Sequence, residues 1–245
     1  MSAGPKVAVV SDIHGNLEAL DAVIADLDRR GVEHVACLGD FVGYGASPNE
    51  CVERLQPRLE AAVVGNHDIA ALGRIQLGSF NSEAAVAARW TRQSLSPETV
   101  RYLEALADTV VWRGMRLVHA TPSEPRRWHY VLSIRDAVEE FGGFEEQVCL
   151  IGHSHYPGSF RMHGSKIEYT REELIDLEDG GRHIVNVASV GQPRDGDPRA
   201  GYLLVDEEQR RLTHVRLEYE VTGAAERIVA AGLPNYLAER LKWGE

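Results

Sequence analysis

Five short apolar segments of this 245-residue chain each lead into polar residues of the kinds that bind metal ions. The segments are Val7–Val10, Val35–Leu38, Ala61–Val64, Met115–Val118 and Val148–Ile151. Short apolar runs with many β-branched residues are typical of buried strands. The residues that follow them are Ser11-Asp12-Ile13-His14-Gly15-Asn16, Gly39-Asp40, Gly65-Asn66-His67-Asp68, His119 and Gly152-His153-Ser154-His155. The pattern therefore predicts a sheet whose strand ends carry the functional side chains.

Helical patterns alternate with these strands, which is typical of an α/β fold. Leu17, Leu20, Ile24 and Leu27 recur at helical spacing. The predicted start of this helix is an N-cap at Asn16, and its predicted end is Gly31. Further helices are predicted for 82–92, after Ser96-Pro97-Glu98, and within the last 25 residues.

Strands become more frequent in the second half of the chain. The additional predicted strands are Val110–Trp112, Ile184–Val187, Tyr202–Val205 and Leu212–Tyr219. Short turns such as Arg113-Gly114 join several of them, so antiparallel pairs and a mixed sheet are expected. Because the chain contains no Pro/Gly/Ser-rich linker, repeat or low-complexity tract, one domain over residues 1–245 is predicted.

Composition restricts the class of protein. The net charge of −11 argues against a protein that binds nucleic acid non-specifically through a basic surface. No apolar stretch reaches the roughly 18 residues that a membrane span needs, and the N-terminal residues show no signal-peptide pattern. Three widely spaced cysteines, without a CxxC pair, favour a reducing compartment. We therefore expect a cytoplasmic protein that does not enter the membrane.

The polar residues after the five apolar segments are expected to meet at one site, because loops at the carboxyl ends of strands converge in α/β sheets. They are Asp12, His14, Asp40, Asn66, His67, His119, His153 and His155. Carboxylate, imidazole and amide groups suit divalent Mn, Fe, Zn, Ni or Co. Even seven of these eight residues would be too many ligands for one tetrahedral zinc, but seven suit two cations that share a carboxylate. Two such cations can hold a hydroxide for in-line attack on a phosphate ester.

Each motif taken alone has a structural explanation. A single histidine after a strand is more often a hydrogen-bonded structural residue, and Gly-Asp or Asn-His-Asp sequences often form turns. Five motifs in succession, each after an apolar run, favour the metal site. The remaining histidines lack this context and are interpreted as structural; they are His34, His129, His163, His183 and His214.

The five motifs resemble the calcineurin-like metallophosphoesterase superfamily, whose pattern is DxH, GD, GNH[DE], H and GHxH in that order. The match spans Asp12 to His155, and Ser11–Asn16, Gly43-Tyr44-Gly45 and 189–195 look like the compact prokaryotic phosphodiesterase-type members. The resemblance implies a four-layer α/β/β/α sandwich with two mixed sheets. It also implies a ligand set, which is Asp12, His14 and His155 for one metal, Asn66, His119 and His153 for the other, and Asp40 as the bridge. His67 would contact the phosphate or the leaving oxygen rather than a metal.

The chain departs from the family pattern at three places. Relatives of the protein-phosphatase branch have GDxxDRG, whereas residues 39–45 contain neither that second Asp nor the Arg, which weakens a protein-phosphatase assignment. Asp68 is left either to orient His67 or to cap a helix. Ala120 replaces a common Gly after His119, with no expected loss of the ligand. Residues 186–189 replace the usual Asn-Pro-Gly-Ser, so the shape of that loop is open.

Three features are candidates for contacting substrate. Arg194 is the first choice for the substrate phosphate, and the alternative is a surface ion pair with Asp195 or Asp197. Segment 126–130, Arg-Arg-Trp-His-Tyr, either stacks on a base and contacts phosphate or forms an ordinary surface loop. Tyr44 either lines the pocket or packs at the edge of the sheet.

The sequence therefore predicts a metal-dependent phosphodiesterase that acts on a small phosphate ester or nucleotide. Alternatives within the enzyme class are a nucleoside-polyphosphate hydrolase, a phosphomonoesterase or a protein phosphatase. A non-catalytic scaffold is the alternative from another class, and it is disfavoured because all eight motif residues are present. Oligomeric state is not predicted.

Overall fold

Strands and helices alternate through residues 6–177 and 180–245, which are the residues that the computed structural model describes. The strands are β1 Lys6–Val10, β2 His34–Cys37, β3 Leu59–Ala62, β4 Thr109–Trp112, β5 Met115–Val118, β6 Val148–Ile151, β7 Gly158–His163, β8 Lys166–Thr170, β9 Leu174–Asp176, β10 Arg182–Asn186, β11 Ala200–Asp206 and β12 Arg211–Leu217. The helices are α1 Leu17–Arg30, α2 Pro48–Leu55, α3 Asn66–Ala71, α4 Ser82–Ser94, α5 Pro97–Glu104, α6 Ile134–Glu140, α7 Val221–Ala230 and α8 Asn235–Glu239.

The strands form two mixed sheets of six strands each. Their orders are β3-β2-β1-β11-β12-β9 and β4-β5-β6-β10-β7-β8. Each sheet contains one parallel group of three strands, β3-β2-β1 in the first and β5-β6-β10 in the second. The other pairs are antiparallel. Since parallel strands end on the same side, each sheet collects three carboxyl ends at one edge.

Side chains that alternate along the strands divide the molecule into layers. Val7 and Val9 of β1 belong to a core shared with β5, β6 and β10, so the two sheets pack face to face. Ala8 and Val10 point to the opposite face, where they pack with helix α1. On the outer face of the second sheet, Cys149 packs with residues of α6. Helices therefore cover both outer faces, and the predicted four-layer α/β/β/α sandwich is confirmed.

Helix α1 follows the predicted pattern closely. The side-chain oxygen of Asn16 accepts a hydrogen bond from the backbone N–H of Ala19, as an N-cap does. The helix ends at Gly31, whose φ of 67° is the left-handed conformation that glycine adopts without strain. The apolar face packs on β1, β2 and β11 and so fixes where the β1–α1 loop ends.

Most predicted strands lie within two residues of the observed ones, but their boundaries shift. The third predicted strand, Ala61–Val64, was placed too late, because the ladder with β2 runs from Leu59 to Ala62. Val64 instead donates its backbone N–H to the carbonyl of Ala107. The sequence analysis missed β7, β8 and β9 and helices α2, α3 and α6; β8 and β9 are largely exposed, and the three helices have at most eight residues.

None of the helices in the described ranges is long and apolar enough to span a membrane. Cys37, Cys51 and Cys149 are buried and form no disulfide, and Cys37 and Cys149 lie in the apolar segments of β2 and β6. The first five residues, on which the expectation of no signal peptide partly rests, lie outside the described residues.

Candidate metal centre

The seven predicted ligands lie at the carboxyl ends of the parallel strands. Loops after β1, β2 and β3 carry Asp12, His14, Asp40 and Asn66, while loops after β5 and β6 carry His119, His153 and His155. All seven side chains are buried. Each sheet thus contributes part of the ligand set from the carboxyl ends of its parallel strands.

The first group consists of Asp12, His14 and His155. The Nε2 atom of His155 lies 3.1 Å from Oδ1 of Asp12 and 3.2 Å from Nε2 of His14. Nε2 of His14 lies 3.8 Å from the same Asp12 oxygen. Three donor atoms at such separations could hold one metal ion.

The second group consists of Asp40, His119 and His153, with Asn66 beside it. Nε2 of His119 lies 3.3 Å from Oδ2 of Asp40 and 3.2 Å from Oδ1 of Asn66. The carboxylate and the two imidazoles have their ligand atoms within 4.8 Å of one another. This group could therefore hold a second metal ion.

Asp40 lies between the two groups. Its Oδ2 atom is 3.7 Å from Nε2 of His14 in the first group and 3.3 Å from Nε2 of His119 in the second. Its Oδ1 atom accepts a hydrogen bond of 2.8 Å from the backbone N–H of His67. One carboxylate oxygen is thus fixed by the backbone, and the other faces both groups.

Backbone carbonyls fix the protonated nitrogen of the four histidines. Nδ1 of His14 donates to the carbonyl of Val42, Nδ1 of His119 to Leu38 and Nδ1 of His155 to Gln192. For His153 the donor is Nε2, 2.9 Å from the carbonyl of Trp128. Since a carbonyl oxygen only accepts, each bonded nitrogen carries a hydrogen, and the other nitrogen of each ring is the one that faces the centre and can bind a metal.

Acceptor atoms face one another across this centre, an arrangement that fits bound cations. The unprotonated ring nitrogens of His14 and His155 are 3.2 Å apart. Oδ1 of Asp12 and Oδ2 of Asp40 are buried and accept no hydrogen bond from any described residue. Buried acceptors without donors cost free energy, and a divalent cation relieves that cost by coordinating them.

The backbone is strained at most of these positions. Asp12, His14, Asp40, His153 and His155 all have φ values between 50° and 63°. Non-glycine residues avoid this left-handed region, at a cost on the order of 1–2 kcal/mol each. Strained conformations of this kind concentrate at functional sites, where they aim side chains that a relaxed turn would not.

The loops also approach each other too closely for additional side-chain atoms. A Cβ added to Gly152 would lie 2.1 Å from Oγ of Ser11 and 2.6 Å from Oδ2 of Asp12. The same Asp12 oxygen accepts a hydrogen bond of 3.1 Å from the backbone N–H of His153. Glycine is therefore required at 152 so that the β6 loop can reach the β1 loop.

Both carboxylates of the centre are ionised. Burial works to raise the pKa of Asp40, but the imidazoles of His119 and His67 lower it well below its usual range. Asp12 also has a lowered pKa, because the interaction with His155 outweighs the effect of burial. Two buried carboxylates close together make this part of the chain strongly attractive to cations.

The histidines differ in their pKa values. Burial lowers the pKa of His14 and of His155, so both imidazoles are neutral near pH 7. For His119 burial has the same sign, yet the carboxylate of Asp40 raises its pKa to about 9. A metal bound by His119 would therefore displace a proton.

His67 lies at the start of α3, beside both groups. Its ring is 4.9 Å from that of His14 and 5.1 Å from that of Phe80. Burial lowers its pKa to about 4. His67 also forms a possible metal cluster with His14 and Asp40, so geometry leaves both a ligand and a non-ligand role for it.

Asp68 caps a helix and does not orient His67. Its carboxylate accepts hydrogen bonds from the backbone N–H groups of Gly65, Asp40 and Val42 at 2.9–3.2 Å. Nδ1 of His67 has no hydrogen-bond partner among the described residues. Of the two roles considered for Asp68, helix capping is therefore the observed one, and the same contacts hold the loop that carries Asp40.

Arg194 lies near the centre, and its acidic neighbours form salt bridges with other arginines. Its Nη2 atom lies 3.1 Å from Oε1 of Gln192 and 3.4 Å from the hydroxyl of Tyr44. Asp195 pairs instead with Arg216 and Arg171, and Asp197 pairs with Arg199. The surface ion pair considered for Arg194 is therefore not formed.

A cleft of ≈ 380 Å³ opens beside His67 and His153. Tyr44 lines it, and so do three residues of segment 126–130, namely Arg127, Trp128 and Tyr130. The segment is therefore part of the wall of the cleft, and Tyr44 is buried against His14 and His67. Four further lining residues, Ile75, Phe80, Asn81 and Ala84, were not predicted, because nothing in the sequence around them distinguishes them from other loop or helix positions.

Comparison with known proteins agrees with this geometry. The calcineurin-like phosphoesterase superfamily domain matches residues 6–210. An uncharacterized protein of Methanocaldococcus jannaschii is 39% identical over 242 residues, which are 97% of this chain and 98% of the relative.

Two solved structures share the fold along nearly the whole chain. The crystal structure of a metallophosphoesterase from Sphaerobacter thermophilus is 37% identical, with a TM-score of 0.89 and coverage of 98% of this chain and 99% of that one. A hypothetical protein from Pyrococcus horikoshii is 20% identical, with a TM-score of 0.78 and 98% coverage of both chains, and this likeness concerns the fold alone. The chain therefore belongs to the calcineurin-like phosphoesterase superfamily and is a metal-dependent phosphoester hydrolase.

Proposed function

We propose that the chain is a two-metal phosphodiesterase for small phosphate esters. The single observation that carries the proposal is the position of Asp40, whose free Oδ2 lies within 3.7 Å of the imidazoles of His14 and of His119. A carboxylate shared between two groups of imidazole ligands suits two adjacent cations. The ligand set is that predicted from sequence: Asp12, His14 and His155 for one ion, Asn66, His119 and His153 for the other, and Asp40 between them.

The residues of the chain then have distinct roles. Bound divalent cations would supply Lewis-acid activation of a water molecule and neutralise charge on the phosphate. His67, neutral at pH 7, donates an N–H hydrogen bond to the phosphate or to the departing oxygen and stabilises the charge that develops there. Arg194 pairs with no carboxylate among the described residues, so its guanidinium is suited to bind an oxygen of the substrate phosphate.

Two features favour a diester over a monoester. A monoester carries more negative charge, and phosphatases of the related branch bind it with an Arg that residues 39–45 lack. The cleft beside His67 is large enough to hold a second ester group. The donor set accepts Mn, Fe, Zn, Ni and Co, so the metal that is available in the cell determines which ion is bound.

Relative rates on two chromogenic esters test this proposal. We expect bis(p-nitrophenyl) phosphate to be hydrolysed at least about tenfold faster than p-nitrophenyl phosphate under the same metal conditions. The reverse order would identify a phosphomonoesterase. Hydrolysis of neither ester at any metal tested would support the scaffold alternative.

The chemistry of the cysteines supports a cytoplasmic location. Three buried thiols without a disulfide suit a reducing compartment.

A further inference from the structure

The cleft beside His67 is lined by aromatic side chains from two separate segments of the chain. Phe80 stands on the α3–α4 side, next to His67. Trp128 and Tyr130, which belong to the segment that follows β5, line the same cleft. The volume of ≈ 380 Å³ is at the lower end of the range for small-molecule sites and suits one nucleoside-sized group.

The aromatic rings lie directly against the imidazoles of the metal centre. Tyr130 stacks on His153 with 4.2 Å between ring centroids and 12° between the planes. The ring of Trp128 lies 6.1 Å from that of His119. A phosphate held at the centre would therefore place its substituent among these rings, where a planar group can stack.

The charge of the cleft also suits a ligand that carries a phosphate. The described residues that line it include no carboxylate, although the whole chain has a net charge of −11. Besides the site residues, the polar groups are Arg127, which also pairs with Glu124, and the amide nitrogen of Asn81, whose oxygen caps α4. A second cleft, around Asp195, is lined by Asp197 and Glu173 as well and lacks this character.

Trp128 is held in a costly conformation that joins it to the metal centre. Its φ is 57°, in the left-handed region that non-glycine residues avoid. Its carbonyl accepts the hydrogen bond from Nε2 of His153 that leaves Nδ1 of His153 available to a metal. The strained conformation of Trp128 thus places its indole in the cleft and its carbonyl against the metal ligand His153, as expected where strain is retained for function.

We infer that this cleft binds a nucleobase, so that the substrate is a nucleotide phosphodiester with its base between Phe80 and Trp128. The inference rests on the proposed phosphodiesterase function and adds the class of substituent to it. Trp128 and Phe80 are the specificity-determining residues, and Arg127 and Asn81 face the polar edge of the base.

Two ligands that differ only by a base provide the test. AMP and ribose 5-phosphate carry the same phosphate and sugar, so the ratio of their dissociation constants isolates the base. We expect Mn²⁺-loaded protein to bind AMP at least about tenfold more tightly, measured by calorimetry, as stacking on aromatic side chains implies. Equal affinities for the two ligands would overturn the inference.

Variants assign the preference to the aromatic walls. In Trp128→Leu and in Phe80→Leu the AMP preference should fall to about threefold or less, while Trp128→Tyr, which keeps an aromatic face, retains most of it. Trp243→Leu is the matched control, because Trp243 is exposed and lies outside the cleft. Metal content is measured for each variant, and Phe80→Leu decides the outcome if Trp128→Leu loses metal. A preference that survives both leucine variants would contradict the inference.

The test separates this inference from the proposed function. If bis(p-nitrophenyl) phosphate is hydrolysed but AMP and ribose 5-phosphate bind equally, only the nucleobase inference fails. If AMP is preferred but no diester is hydrolysed, the proposed function fails and the cleft is still a base-binding site.

Discussion

The histidines of the centre can bind metal because the polypeptide has already used their other nitrogen. Carbonyl oxygens of Val42, Leu38, Gln192 and Trp128 each accept one imidazole hydrogen. These contacts fix both the tautomer and the direction of the ring, so little is left to order when an ion binds. The sequence motifs identified the histidines but not these partners, since any residue has a carbonyl and only the folded chain shows which one is near.

At the residue scale, a variant of His67 distinguishes a role in catalysis from a role in metal binding. We expect His67→Ala to lower kcat by about 10²–10⁴-fold, because the hydrogen bond to the developing charge is lost, while metal content stays unchanged. Metal content by mass spectrometry and kcat on bis(p-nitrophenyl) phosphate measure the two effects. His163→Ala, at an exposed position outside the site, is the matched control. Loss of metal from His67→Ala would instead assign His67 to the cluster with His14 and Asp40.

At the scale of elements, the two parallel strand groups explain why distant motifs meet. β3-β2-β1 and β5-β6-β10 each end at the same edge of their sheets, and the sheets pack with these edges together. The sequence predicted these six strands because their apolar runs are short, rich in β-branched residues and followed by polar loops. It could not predict β8, Lys166–Thr170, because this edge strand is largely exposed and its hydrophobic pattern is weak.

The close approach of the β1 and β6 loops gives a prediction at this scale. Gly152→Ala places a Cβ against Ser11 and Asp12, so one loop must move and the first metal group opens. We expect activity to fall by more than about 100-fold with weaker metal binding, while circular dichroism is unchanged. Gly78→Ala is the control, since a Cβ there meets nothing within 4 Å. Full activity in Gly152→Ala would show that the loops are not held this closely.

A buried contact between α1 and β11 predicts a pH dependence of stability. Burial works to raise the pKa of Asp26, but hydrogen bonds from Tyr202 and Arg30 lower it below its usual value. The unfolded chain, with an Asp pKa of about 3.9, then binds the proton more readily. The stabilisation is therefore present above about pH 4 and is lost as the pH falls through the lower folded pKa.

Urea unfolding of Asp26→Asn and of the wild-type protein between pH 2 and pH 7 measures this effect. The free energy of unfolding should fall more steeply with decreasing pH in the wild type, below about pH 4. Parallel profiles for the two proteins would mean that Asp26 does not contribute.

At the scale of the whole molecule, the sequence predicted the architecture better than the boundaries of its elements. The four-layer sandwich followed from the resemblance carried by the motifs between Asp12 and His155, and the packing of both sheets agrees with it. Details such as the end of β3 or the contacts of Asp68 depend on ladder register and loop contacts, which local patterns do not determine. One domain over residues 1–245 remains a prediction.

Metal stoichiometry against activity tests the central claim most directly. Metal-free protein is titrated with Mn²⁺, and bound metal and hydrolysis of bis(p-nitrophenyl) phosphate are measured in the same samples. We predict that activity follows occupancy up to two ions per chain, and that Asp40→Asn, which removes the shared carboxylate, neither retains the metal nor hydrolyses the ester. Full activity with one ion per chain or none, or an active Asp40→Asn variant, would contradict the two-metal account.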